Sequence, residues 1–509
     1  MNAEPLILAI DLGTTTCKTL VVDSSLRIVK KQAVEYPVIT PRAGWAEQDP
    51  EMWWRVVKDS IARVMADLDA GRIQAIGLSG QMHGLVLLGR SRQPLRPAIL
   101  WNDQRSAQQC AQVYAKAGGV DGLLSYTDNP MLPGYTGGKL LWVRENEPRI
   151  YEQAEGFCLP KDYIRYHLTG EIATDLSDAS GTGLYDVRHR RWADNLIGLL
   201  ELESSWFPHA CEAGDFAGQI GAGLAAETGL KTGTPVTAGG GDAVMQTVGS
   251  AGISSQVVLL VIGTGGNVTV SLPGPIDNPG ARLQVFCHVL PGQWTGMGVT
   301  LSAGGSLKWF RDRLGGLETA LAQDLNTSAY ALLGEQARRS PPGANGLIFL
   351  PYLQGERAPH ADPNARAGFI GLSSSHEKAD LIRSVMEGVS YSLRDVLSLI
   401  LQAGIDPSRV NASGGGSSSP VWRQILADVF DRQVTTLDFS EDAGAIGAAI
   451  VAGVKVGIWS SAQEAVQKIA VKTVDRPIAG NPERYARYFA IYQDLYPALK
   501  SCFERLSAV

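Results

Sequence analysis

Short apolar runs recur along the chain, each closed by a stretch of glycine and hydroxyl residues. Leu6 to Ile10 is wholly apolar and predicts a buried strand. Asp11-Leu12-Gly13-Thr14-Thr15-Thr16-Cys17-Lys18 follows as a turn, and Thr19 to Asp23 returns, which together predict a hairpin. The design recurs at Val257 to Ile262, with the turn Gly263-Thr264-Gly265-Gly266-Asn267 and the return Val268-Thr269-Val270. A unit repeated in architecture, though not in identity, predicts two similar α/β domains. Ile73 to Leu78 and Ala98 to Leu100 are further buried strands, closed by Ser79-Gly80-Gln81-Met82-His83-Gly84 and Trp101-Asn102-Asp103-Gln104-Arg105. Helical periodicity covers 49–68, opened by an Asp-Pro cap, and later 383–401 and 483–509. Helices are also expected after Tyr135, from Pro160 and from Val421, and residues 151–235 otherwise predict an insertion of helices and turns. Ala443 to Val454 is a helix of small residues able to pack closely against a neighbour.

Composition narrows the class. A chain of 509 residues exceeds one core and implies two to four domains. A hydrophobic fraction of 45% and a charged fraction of 19% are those of an ordinary globular protein. The net charge of −6 offers no basic surface for nucleic acid. The six cysteines are scattered without a C-x-x-C pair, which argues against a zinc site or a disulfide framework and fits a reducing cytosol. The start has neither a basic n-region nor a long apolar core, and no stretch approaches the roughly 20 apolar residues of a membrane span. A cytoplasmic protein with no membrane partner is expected.

The candidate chemistry lies in the turns. Gly239-Gly240-Gly241-Asp242 lets the backbone approach a ligand closely and sets one carboxylate behind it, as a general base for a hydroxyl requires. The same residues also fit a surface turn with an acidic cap. The 11–18 turn carries three hydroxyls and a lysine that can cradle phosphate, and Asp11 can hold Mg²⁺ through water; a threonine-rich hairpin with a solvated lysine fits too. His83 follows a buried strand, where α/β proteins place ligand groups, although a lone histidine is more often structural. Trp101 beside Asp103 offers an apolar ring face and a hydroxyl acceptor, a pairing suited to a sugar. Residues 301–314 put a small-residue turn at a helix N-terminus, a ready anion or nucleotide site, and 411–420 form a third glycine turn.

Taken in order, these motifs resemble the actin/hexokinase-type ATPase superfamily and, within it, the FGGY carbohydrate kinases, most closely bacterial xylulokinases. The resemblance spans nearly the whole chain. It is carried by IDLGTTTCK at 10–18, WAEQDPEMWW at 45–54, SGQMHG at 79–84 and AILWNDQR at 98–105. GYTGGKLLWVREN at 134–146, LPKDY at 159–163, GGGD at 239–242, FLPYLQGERAPH at 349–360 and GFIGL at 368–372 complete it. SGQMHG is the piece that points to xylulokinases. The resemblance implies two ribonuclease H-like domains around a central cleft, residues 1–245 and 246–509, with the last helix able to pack back on the first. It implies ATP and Mg²⁺ as cofactors and Asp242 as catalytic base, with Asp11 and Asp242 at the metal. Thr14, Thr15, Thr16 and Lys18 match the first phosphate turn, and Gly263, Thr264 and Gly265 the second. Gly304 and Lys308 fall at nucleotide-contacting positions, and Gly415, Gly416 and Ser419 in the adenosine turn. Met82, His83 and Asp103 match sugar-contacting positions, with Trp101 lining that pocket. A homodimer is left open.

Two departures bear on function. The residue after the base is Ala243, where look-alikes carry Asn, and the second phosphate turn reads GTGG in place of GTSG. Three readings follow: a kinase making D-xylulose 5-phosphate from ATP and D-xylulose; a kinase of the same family for D-ribulose, L-ribulose or a pentitol; and a nucleotide-binding sensor or filament-like module without turnover. The retained Asp242 argues against the third.

Overall fold

The first hairpin forms with Leu6–Leu12 antiparallel to Thr16–Asp23 and Asp11 directly opposite Lys18. The turn is thus shorter than expected, and Thr16, Cys17 and Lys18 belong to the second strand. Its alternating exposure at those positions shows why: the polar residues share one face while Cys17 enters the core. The structure, a computed structural model, describes residues 4–507. The chain divides into two α/β units. Residues up to Ile253, Ser271–Thr295 and Asp442–Ile469 form the first; Ser254–Val270, Gly296–Glu441 and the chain from Ala470 form the second. Set beside the expected division at 245/246, the segment Asp442–Ile469 groups with the first unit and the last helix, Asn481–Ser507, with the second.

The first unit is built on a mixed sheet in the order Phe216–Gln219, Pro235–Thr237, Ile73–Gly80, Leu6–Leu12, Thr16–Asp23, Ile28–Glu35. Leu6–Leu12 runs parallel to Ile73–Gly80, so both strands end at the same edge and deliver Asp11 and Ser79 side by side. The 151–235 segment is not only helices and turns: its Phe216–Gln219 joins this sheet, a strand too short and too exposed to show a period in sequence. Helix Pro50–Met65, capped by the Asp49 side chain on the Glu51 N–H, buries Trp53, Val57, Ile61 and Val64 against the sheet.

Helix Ala443–Lys455 shows what its small residues are for. A Cβ on Gly77 would lie 2.2 Å from the Ala448 carbonyl oxygen, so the helix rests on the bare backbone of Ile73–Gly80. On another side it meets helix Asp242–Gly249, where a Cβ on Gly249 would lie 1.9 Å from the Ala443 oxygen and one on Gly447 2.1 Å from the Met245 oxygen. The second unit repeats the scheme: Gly266–Leu272 is antiparallel to Val257–Ile262, which runs parallel to Arg409–Ser413, and that strand parallel to Gln433–Leu437. Val471–Asp475 closes this run antiparallel. Helix Lys378–Gln402 is its longest buried helix, against which Tyr485 of the last helix packs through hydrogen bonds to Arg383 and Glu387. Among the described residues no helix is long and apolar enough to cross a membrane.

Candidate active site

Gly240 and Gly241 lie beside the end of Ile73–Gly80, opposite Ser79 and Gly80. Side chains have no room there. Gly239 has φ 77°, and its Cβ would sit 2.5 Å from the Leu78 carbonyl oxygen; a Cβ on Gly241 would sit 2.5 Å from Met82 Cγ. The Gly241 N–H donates to Ser177 Oγ at 3.0 Å. The run ends in Asp242, the first residue of helix Asp242–Gly249, whose carboxylate accepts the Ala243 N–H at 2.8 Å. A helix N-terminus favours a carboxylate. Burial and then the neighbouring Asp11 outweigh that, and the Asp242 carboxyl is pushed up to about 7. A group with that value exchanges protons at neutral pH.

Asp11 accepts a hydrogen bond from Ser79 Oγ at 2.7 Å. Burial raises its pKa, while Ser79 and Lys18 work in the opposite direction. Gly444, in the first turn of helix Ala443–Lys455, abuts the Asp11 carboxylate: a Cβ there would lie 2.8 Å from Oδ2. Just before that helix, Asp442 binds Lys31 at 2.7 Å and Lys18 at 3.6 Å. The turn of the first hairpin is held from behind. Gln48 Nε2 donates to the Thr14 carbonyl at 2.7 Å and its Oε1 accepts from Trp53 Nε1 and Gln81 Nε2 at 3.0 and 3.1 Å. The Tyr36 hydroxyl donates to the Gly13 carbonyl. Thr15 is exposed at the tip of the turn, with Thr14 and Thr16 partly so.

Of the expected sugar residues, Trp101 reaches this turn. Trp101, 41% exposed, donates from Nε1 to Thr14 Oγ1 at 2.8 Å. Met82 is buried against Gly241. His83 Nδ1 donates to the Gly181 carbonyl at 2.6 Å, and its ring stacks on Tyr135 with centroids 4.5 Å apart. Asp103 is placed differently from a direct sugar contact. It is 0% exposed, and its carboxylate accepts the Ala46 N–H at 2.7 Å, the Arg105 N–H at 2.9 Å and Arg105 Nη2 at 2.8 Å. Asp103 holds the loop that presents Trp101.

In the second unit, Gly263-Thr264-Gly265 meets the start of helix Gly304–Leu314. The N–H groups of Gly304 and Gly305 donate to the Gly263 and Thr264 carbonyls at 2.8 and 3.0 Å. Those donors therefore shape the glycine turn, where the sequence suggested an open anion site. Lys308 is exposed and pairs with Asp312 at 2.6 Å. The adenosine-type turn packs on the same strand end, since a Cβ on Gly416 would lie 2.3 Å from Ile262 Cγ2. Gly415 has open space around it, and Ser419 caps helix Pro420–Phe430 by accepting the Trp422 N–H. Glu356 supports this region from beneath: it accepts the Leu301 N–H at 3.0 Å, and burial pushes its carboxyl up to about 7.

Ser79, Gln48, Ser177, Asp442 and Glu356 were not singled out from the sequence. Ser79, Gln48 and Glu356 lie inside the quoted motifs, which was a usable signal; Ser177 and Asp442 do not.

Comparison with known proteins shows the family of the chain. The pattern described as the FGGY family of carbohydrate kinases, N-terminal domain, matches residues 6–249, and its C-terminal counterpart matches 258–456. The chain is 36% identical over 497 residues to a xylulose kinase of Bacillus subtilis (strain 168), covering 97% of each. It is 36% identical over 499 residues to one of Escherichia coli (strain K12), covering 97% of this chain and 99% of that one. The solved structure of ligand-bound xylulose kinase from Lactobacillus acidophilus superposes with TM-score 0.91 at 27% identity, over 99% of this chain and 100% of that one.

Proposed function

We propose that this chain, which belongs to the FGGY family of carbohydrate kinases and is an ATP-dependent sugar phosphotransferase, takes D-xylulose and makes D-xylulose 5-phosphate. The observation that carries the catalytic reading is Asp242, a carboxyl raised to about 7 at the end of a glycine run packed tightly against Leu78, Val289 and Met82. As carboxylate it accepts the proton of the terminal sugar hydroxyl. The sugar oxygen then bonds to the γ-phosphorus as the bond to the β-bridging oxygen breaks and ADP leaves. Phosphoryl transfer asks the protein mainly for positioning and charge neutralisation. Thr14, Thr15, Thr16 and Lys18 in the first unit, and Gly263, Thr264 and Gly265 in the second, serve the phosphates in this reading. Gly304 and Lys308 serve the nucleotide; Gly415, Gly416 and Ser419 serve the adenosine.

The donor set suits Mg²⁺. Asp11 and Asp242 are hard oxygen ligands, and among the described residues no group of three or more ligating side chains forms a cage. Mg²⁺ is usually bound by one or two carboxylates, several waters and the substrate phosphates. When bound there it neutralises phosphate charge.

Met82, His83 and Trp101 face the sugar in this reading, with Asp103 acting through the Trp101 loop. A second reading, another ketose or a pentitol, is favoured by Ala243, whose methyl group offers no hydrogen bond where Asn would offer an acceptor oxygen and two N–H donors. ADP release measured across D-xylulose, D-ribulose, L-ribulose, xylitol and D-arabinitol separates the two. D-xylulose should give the highest kcat/KM, and Ala243→Asn should widen its lead. A higher kcat/KM for any other sugar replaces the substrate.

A further inference from the structure

His83 has φ 67°, in the left-handed region, where a side-chain-bearing residue persists only if its surroundings over-determine it. The restraint comes from one turn of helix Thr136–Asn146. Thr136 Oγ1 donates to the His83 carbonyl at 2.9 Å and Lys139 Nζ donates to the same oxygen at 2.8 Å. Lys139 Nζ also donates to the Gly134 carbonyl at 2.7 Å. Residues three apart on a helix share a face, and Thr136 and Lys139 are both 0% exposed. A fully buried lysine is uncommon, and burial pushes this one down to about 7. Either protonation state donates to two carbonyls.

The same segment fixes the ring. Tyr135 stacks on it, and Gly181 accepts from its Nδ1 at a place where a Cβ would lie 2.7 Å from that nitrogen. It also abuts the other sugar-side loop, since a Cβ on Gly134 would lie 2.2 Å from the Trp101 carbonyl oxygen.

We propose that Thr136 and Lys139 are positioning residues for sugar recognition: by gripping the His83 carbonyl they aim its ring, and so set KM for the sugar without touching it. This rests on the reading of His83 as a sugar contact. The test measures KM for ATP and for the best sugar of the ADP-release panel, in the full chain. Thr136→Val keeps the shape and removes the donor. It should raise the sugar KM about three- to tenfold, the equivalent of one hydrogen bond, and leave the ATP KM unchanged. Thr136→Ser keeps the hydroxyl and should restore the wild-type value. In a His83→Ala background Thr136→Val should add nothing, because the residue it acts through is gone. Lys139→Met should shift the same KM in the same direction; if it does not fold, the Thr136 series decides. A Thr136→Val effect undiminished in the His83→Ala background, equal rises in both KM values, or no rise at all overturns the proposal. An unchanged sugar KM in His83→Ala alone overturns the reading of His83 on which the proposal rests.

Discussion

The proposed role asks Asp242 to be both buried and basic, and the two demands give separable predictions. As a base it works only ionised, so kcat/KM should fall with a one-proton slope as pH drops through about 7. Asp242→Asn should lower turnover by about 10²–10⁴-fold or more with ATP affinity retained, as read by coupled assay and calorimetric titration. Near wild-type turnover would remove Asp242 from this role. On stability the sign is opposite. The folded pKa lies above the unfolded value of about 3.9, so the folded state binds the proton more tightly and is weakened as pH rises through about 7. Asp242→Asn, which cannot ionise, should therefore have a higher Tm than the wild type at pH 8. The gap should narrow below about pH 7 and close toward about pH 4, where the unfolded chain is protonated too; a gap independent of pH would show that Asp242 is not held protonated. Asp242 was legible in sequence because its signal, three glycines and an acid, is local. Asp442 was not, because its partner Lys31 stands 411 positions away in the chain and only the fold brings the two together.

At the scale of elements, strands and helices followed their periods closely. The misjudged pieces were those whose pattern is short or polar, namely the end of the first turn and the edge strand Phe216–Gln219. The small-residue helix was visible in sequence, but its partner was not, since a glycine says that something comes close without saying what. The structure supplies the answer in Gly77, Gly249 and Gly447. Gly249→Ala sets a methyl group 1.9 Å from a backbone oxygen that cannot rotate away. It should destabilise the protein by about 1–3 kcal/mol, read as a lower urea midpoint at unchanged m-value. Because the same two helices begin at Asp242 and beside Asp11, turnover should fall with it. A neutral Gly249→Ala would mean that the two helices can separate at no cost.

At the scale of the molecule, the duplicated hairpin was enough to announce two α/β units, but periodicity runs along the chain and cannot show which distant segments complete which core. The first unit takes back Asp442–Ile469 after about 190 residues given mostly to the second. That has a consequence for biosynthesis. A ribosome adding about 5–20 residues per second releases the first 253 residues roughly 10–40 s before helix Ala443–Lys455 emerges. Through that interval the nascent chain must carry Gly77 and the apolar backbone around it uncovered. A fragment ending at Thr295, which keeps Ser271–Thr295 of the first unit, should accordingly aggregate or bind a hydrophobic dye when expressed alone, and a peptide of residues 442–469 supplied in trans should rescue its solubility. A fragment that is soluble and cooperatively folded without that peptide would show that the late-arriving helix is dispensable to the first unit.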